Sequence, residues 1–353
     1  MKKAISILLA LTLILIPLAA CDNGNPSTSS PSSSSPSGSG NAGDGQSGEK
    51  TLKAAMILPG PISDPGFNGP AYDGLVRIEK ELGYETSFTE NVAPADYESV
   101  FRTYAQQGYN IVFAHGAQFL ETAMTVAEEF PDTWFAVSSA FGTNEKNVSG
   151  WNLNTYDVGF LAGVLMAQMS NTKKIGMVSG AELPPIVMMY DAMRAGAAYV
   201  DPSVEVRNVF TSETADSGQC REAANALIDA GCDLLSSTAG VGAPGAIAAC
   251  ADAGYYFVGT SADWSPIDPS TVLTSIFTDW GGAAFLTAEL YKKGELRPMP
   301  YINGIAEDAV YFVGFGELES AVPAEVKTRL DDIIAKVVSG EINIAELVGA
   351  LSN

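Results

Sequence analysis

Histidine is nearly absent from this chain: among 353 residues only His115 carries an imidazole. Cysteine is scarce as well, confined to Cys21, Cys220, Cys232 and Cys250, with neither the spacing nor the accompanying histidines of a zinc site. Basic residues are few, 19 Lys and Arg against 41 Asp and Glu, which sets the formal charge at −22. A chain so acidic repels phosphates, so nucleic acid is excluded as a natural partner. Catalytic signatures are missing too. No Gly-x-Gly-x-x-Gly stands directly after the first strand-like run, "LKAAMIL", and neither Gly-Lys-Ser/Thr nor Gly-x-Ser-x-Gly occurs. No cluster of acids at a strand end offers a metal-assisted hydrolase site, so no catalytic residue, metal or cofactor is expected.

What is present begins with Met1-Lys2-Lys3 and an apolar run from Ala4 to Ile16, too short for a membrane span and typical of a secretory leader over residues 1–20. Its ending, Leu18-Ala19-Ala20-Cys21, resembles a bacterial lipobox. That resemblance implies cleavage before Cys21 and lipidation of Cys21, anchoring the protein outside the cytoplasm on the bacterial cell membrane; an ordinary signal preceding a cysteine by chance is the alternative. Loss of Lys2 and Lys3 takes the charge from −22 to −24. Residues 21–50 are dominated by Ser, Pro, Gly, Asn and Asp, which cannot bury apolar area, and read as a tether. Cys220, Cys232 and Cys250 then remain as structural thiols, with a Cys232 to Cys250 disulfide as the other reading.

Beyond the tether roughly 300 residues remain, enough for two domains. Apolar runs such as "LKAAMIL", "NIVFAHG", "WFAVSS", "KKIGMVSG", "VEVRNVF", "CDLLSST" and "YYFVGTS" alternate with helical patterns. Ala71, Leu75, Ile78 and Leu82 keep helical spacing and stop at Gly83. This alternation predicts an α/β fold with doubly wound parallel sheets, and the length favours two lobes over one large sheet. The division expected is lobe 1 at 51–153 and 278–298, lobe 2 at 154–277 and 299–353, closing on a ligand held between them.

Ligands of open parallel sheets bind at the carboxyl ends of the strands. The segments there are "PGPISDPGFNG" at 59–69, "HGAQF", "SSAFG", "SGAELPP", "TAGVGAP" and "TSADWSP". They carry Phe67, His115, Phe119, Phe141 and Trp264, a gathering of rings that points to a flat ligand. Pro59, Pro61 and Pro65 stiffen the first of these turns.

Six stretches in order, "SDPGFN", "EEFPDTWFAV", "VGFLAGVLMAQMSNTKKIGMVSG", "AGAAYVDPSVEV", "AANALIDAGCDLL" and "VLTSIFTDWGGAA", resemble the basic membrane protein family, the PnrA-like substrate-binding lipoproteins of ABC transporters, from about residue 52 to 340. The resemblance implies a type I periplasmic-binding fold with hinge strands between the lobes, a purine ligand and an ABC permease as partner, with the protein a monomer. Phe67 and Asn68 match the family's Phe-Asn, a ring on the base and an amide beside it. The family's nucleoside binders place acids where Ser138 and Ser261 stand and a lysine at Thr278; those charges hold ribose, and this chain lacks them. "HGAQF", "SADW" and "TDWG" are similar to a branch associated with free nucleobases.

A nucleobase needs stacking rings and neutral donors and acceptors. Phe67 and Trp264 are therefore expected to sandwich the base, with Asn68, Gln118, Ser138 and Asp263 on its edge. His115, Phe119, Tyr190, Gly240, Ser261 and Asp279 complete the candidate set. For several of these a bland reading stands beside the functional one: Phe67 buried under its helix, Trp264 a loop anchor, His115 a hydrogen-bonded strand-end residue, Asp279 a helix N-cap. An intact nucleoside, a sugar or another small solute is the alternative ligand, and signalling the alternative to uptake.

Overall fold

The computed structural model describes residues 51–64, 66–211 and 216–351. The leader, Cys21, the tether and Pro65 lie outside the described residues. The chain forms two α/β lobes, each built on a six-stranded sheet.

The first sheet contains β1 (Lys53–Ile57), β2 (Glu85–Thr89), β3 (Ile111–Ala114), β4 (Trp134–Ser138) and β5 (Val148–Leu153), with α1 (Asn68–Arg77), α2 (Tyr97–Gln106) and α3 (Leu120–Ala127) between them. Side chains alternate across a strand, so a sheet covered on both faces needs apolar residues at nearly every position. In β1, Ala54 and Met56 pack beneath α1 while Ala55 and Ile57 pack beneath α2 and α3. The helical stripe read in the sequence forms α1 and continues as a π-turn to Leu82, stopped by Gly83 at φ +74°.

The second sheet follows: α4 (Thr155–Met169), β6 (Lys174–Ser179), α5 (Pro184–Val200), β7 (Glu205–Phe210), α6 (Ser217–Asp229), β8 (Leu234–Ser237), α7 (Ala243–Ala253), β9 (Tyr256–Ser261) and β10 (Val272–Thr278). The chain then crosses to the first lobe for α8 (Trp280–Lys292) and β11 (Pro300–Asn303), and returns for β12 (Val310–Phe312), α9 (Ala324–Val338) and α10 (Ile344–Leu351). The sheet orders are β11-β5-β4-β3-β1-β2 and β12-β10-β9-β8-β6-β7, parallel throughout except for β12 against β10. Two boundaries shift from the sequence reading: Thr278, expected in lobe 1, pairs with Val310 and ends β10 of the second sheet, and the return from the first lobe comes later. Residues 300–303 pair with 150–153 of β5, so they complete the first sheet and the return to the second comes after Asn303, not at 299.

Three crossings therefore join the lobes, and two are laced together. Asn154 N–H donates to the Asn303 carbonyl at 2.9 Å. Asp157, in the first turn of α4, accepts from Ile305 N–H at 2.8 Å and from the Asn154 amide at 2.8 Å. Gly304 has to be glycine here: a Cβ would lie 2.1 Å from Asp157 Oδ2. Burial, with the neighbouring Glu307 charge, pushes the Asp157 carboxyl up to about 6 against the weaker pull of the Ile305 bond.

The three cysteines of the second lobe are buried free thiols beneath α6 and α7, so Cys232 and Cys250 form no disulfide. Among the described residues no helix is long and apolar enough to cross a membrane.

Candidate ligand-binding site

The carboxyl ends of β1, β3 and β4 meet the start of α1 in the first lobe. Asp64 organises this turn, its carboxylate accepting from Gly66 N–H at 3.0 Å and Asn68 N–H at 3.1 Å while its carbonyl accepts from Gly69 N–H at 2.8 Å. Burial raises the Asp64 carboxyl, but the bonds from Gly66 and Asn68 outweigh it and hold the group below the usual range. An ionised carboxylate only accepts, so the 2.8 Å contact from Asn68 Nδ2 sets which way that amide faces. Asn68 Oδ1 is left buried with no protein donor.

Phe67 stands at the N-terminus of α1, half-buried, its ring stacked on His115 with centroids 3.7 Å apart and planes at 28°. His115 follows the last residue of β3 and is fully buried. Its proton can be placed. Nε2 lies 3.1 Å from the Phe67 carbonyl, which only accepts, so Nε2 carries the hydrogen. Burial drives the imidazole pKa down to about 3, so the ring is neutral and Nδ1 accepts from the Ser138 hydroxyl at 2.9 Å. Trp151 stacks beyond His115 at 5.2 Å and 28°, and Trp280, at the start of α8, sets its edge against Phe67 at 5.5 Å and His115 at 5.0 Å.

The sequence reading missed Trp151 and Trp280. Trp280 lies in a segment quoted for another reason and Trp151 in none, and the available signal was their type: two tryptophans of the chain's four, one on an inner strand and one at a helix start.

Several expected site residues are placed elsewhere. Phe119 is fully buried against Tyr97 and Phe101, filling the core between β3 and α2. Ser138 is fully buried with its proton committed to His115, so it cannot donate to a ligand edge. Tyr190 points down the second sheet, its hydroxyl donating to the Val206 carbonyl of β7 at 3.2 Å. Asp279 caps α8 through Gly282 N–H at 2.6 Å. Gln118 is exposed on the rim beside Gly116, whose φ of +133° the turn requires.

In the second lobe, Trp264 is held down. Its indole N–H donates to the Thr260 carbonyl at 3.1 Å, its backbone N–H to Ser275 Oγ at 2.9 Å, and its ring lies over Gly259, where a Cβ would come within 2.7 Å. Asp263 is exposed and closes a tight turn onto Ser265 N–H. Gly240 is exposed at φ +52°. Ser261 adopts φ +66° and Ser139, after β4, φ +55°; such angles in non-glycine residues cost energy and concentrate at functional loops. Thr278 donates to the Ser261 carbonyl at 2.9 Å. A groove of about 600 Å³ bounded by Leu52, Trp134, Tyr291 and Arg297 lies at the opposite, amino end of the first sheet and takes no part in this arrangement.

Two sheets with their carboxyl ends lined by rings and hydroxyls describe a solute binder. A profile of the family described as ABC transporter substrate-binding protein, PnrA-like, matches residues 51–347. The chain belongs to that family. It is 28% identical over 298 residues to a purine-binding protein of Brucella abortus strain 2308, covering 84% of this chain and 83% of that one. It is 27% identical over 296 residues to a putative ABC transporter glucose-binding protein of Haloferax volcanii, covering 84% and 74%. A solved ABC transporter solute-binding protein from Conexibacter woesei superposes with a TM-score of 0.70 at 24% identity, over 83% of this chain and 98% of its own, which shows the shared periplasmic-binding type of fold. As a PnrA-like protein the chain is a solute binder of an ABC transporter, in a family of binding proteins and not of enzymes.

Proposed function

We propose that this PnrA-like protein captures a free purine nucleobase between its lobes and presents it to an ABC permease. The observation that carries the reading is the state of the two hydroxyls at Ser138 and Thr278, positions where the resembled nucleoside binders hold ribose with charges. Both donate inward, to His115 Nδ1 and to the Ser261 carbonyl. A hydroxyl already donating to the protein can offer ribose only a neutral lone pair, where a charge-assisted bond is roughly twice as strong, and each ribose hydroxyl desolvated without a partner would cost about 1–3 kcal/mol. A base asks for less: a ring to lie on and neutral groups at its edge. Phe67 supplies the ring, and Asn68 an amide whose oxygen lacks a donor. The purine named for the Brucella relative agrees with this choice.

Trp264 belongs to the wall of the second lobe in this reading, with its indole N–H occupied by the loop. Cys21 is assigned as the lipidated residue that keeps the protein outside the cytoplasm at the membrane; Cys21→Ser is expected to abolish lipid labelling and release the protein. Titration calorimetry of adenine, guanine, hypoxanthine and xanthine beside their nucleosides tests the ligand. The bases should bind at least as tightly as the nucleosides. A clear preference for nucleosides overturns the nucleobase reading, and silence toward every purine moves the ligand to another solute, for which glucose, named for the Haloferax relative, is the first to try.

A further inference from the structure

We propose that His115 is a positioning residue: it never touches the ligand but fixes the Phe67 platform in place, holding that residue by its carbonyl and its ring at once. The proposal rests on base capture by Phe67 and adds how the platform is made rigid. His115 is fully buried, so a ligand cannot reach it. Its Nε2–H supplies the Phe67 carbonyl at 3.1 Å, whereas the helical partner of that carbonyl, Ala71 N–H, is at a long 3.5 Å. The imidazole bond is thus the stronger tie on the carbonyl side, and Asp64 holds the chain on either side of Phe67 by accepting from Gly66 N–H and Asn68 N–H.

The imidazole is itself over-determined. Ser138 donates to Nδ1, Trp151 backs its far face, and Trp280 stands edge-on at 75°. Only the neutral Nε2–H tautomer satisfies both the carbonyl and the hydroxyl; protonation would place two hydrogens at the Ser138 contact unless the hydroxyl turned away. A ring held this firmly loses little freedom when a base stacks on it, which is where preorganisation improves affinity.

The chain's single histidine makes the test clean, provided the full mature chain is purified without a histidine tag. Nitrogen-15 spectroscopy of the ligand-free protein should show one imidazole, protonated on Nε2 and unchanged between about pH 8 and 5, given an ordinary histidine midpoint near 6.5. Protonation on Nδ1, or a midpoint near 6.5, overturns the proposal. The functional arm is a double-mutant cycle with the four purine bases. His115→Gln is expected to weaken binding about tenfold in the wild-type background and less than about twofold in a Phe67→Ala background, because its effect passes through that ring. Equal losses in both backgrounds would mean direct contact or general damage and would reject the positioning role. If His115→Gln does not fold, Ser138→Ala runs the same cycle with a smaller expected loss of about threefold. Should the wild type bind no purine, the base-capture reading falls alone. The tautomer of His115 in the wild type and the ring-proton shifts of Phe67 in Ser138→Ala still decide its role: Nε2–H together with displaced Phe67 shifts supports positioning, and Nδ1–H or unchanged Phe67 shifts rejects it.

Discussion

The two lobes share a topology but finish their strand ends differently. In the first lobe, rings are wired to one another: Phe67 on His115, His115 on Trp151, Trp280 edge-on to all three. In the second, small hydroxyl residues are wired to the backbone. Thr260 Oγ1 donates to the Ser237 carbonyl, Thr238 Oγ1 accepts from Gly180 N–H, Thr278 donates to the Ser261 carbonyl, and Trp264 is tied to Thr260. The difference teaches a division of labour. In the function proposed above, the face of interlocked aromatics is the stacking surface, and the short loops with positive φ at Gly240 and Ser261 are where backbone comes close to the ligand.

The largest effect that would sharpen this contrast is Phe67→Ala. Base stacking in single-strand nucleic-acid sites is worth about 1–3 kcal/mol, so purine affinity should fall about ten- to a hundredfold in a folded variant. Calorimetry showing less than about a twofold change would remove the first lobe's claim to the platform. Trp280→Ala comes next. Edge-to-face ring pairs contribute about 0.5–1.5 kcal/mol, and loss of the wedge beside Phe67 and His115 should weaken binding about threefold to tenfold. An unchanged affinity would confine the aromatic cluster to packing.

Trp264→Ala is expected to do the reverse. Its ring packs on the core beneath α6 and α7, so the variant should lose several degrees of melting temperature, at about 2–4 °C for each kcal/mol, with affinity kept within about threefold. A loss matching that of Phe67→Ala would show that the lobes clamp the base as equals.

The smallest effect is a pair of opposed responses to acid. His115 is neutral in the fold, with its pKa lowered from 6.5 to about 3, so the stability it allows is present above 6.5 and declines as pH falls toward 3. Asp157, raised from 3.8 to about 6, works the other way: the folded state takes up its proton first, so stability rises as pH falls through 6. Thermal unfolding from pH 7 to 5 should therefore steepen its acid loss in Asp157→Asn and flatten it in His115→Gln. Parallel curves for the wild type and both variants would mean that neither group titrates as its surroundings dictate.

Much of this architecture was legible in the residues themselves. A strand covered on both faces is a continuous apolar run, and a helix is a stripe that ends at a residue able to take positive φ, as Gly83 does; both are properties of neighbours in the chain. Because ligand loops follow strand ends, the placement of Phe67 and Asn68 at the turn into α1 was readable too. Side-chain direction at those ends was not. Phe119 and His115 stand four residues apart after one strand, yet one fills the core and the other supports Phe67, and only the neighbours supplied by α2 and α8 separate them. The pairing of β11 with β5, the arrival of Trp280 beside Phe67, and the inward donation of Ser138 and Thr278 likewise join segments far apart in sequence. Local periodicity tells which residues are buried, but what a buried polar group bonds to depends on which distant backbone or ring is packed against it, and that is settled only when the sheets assemble.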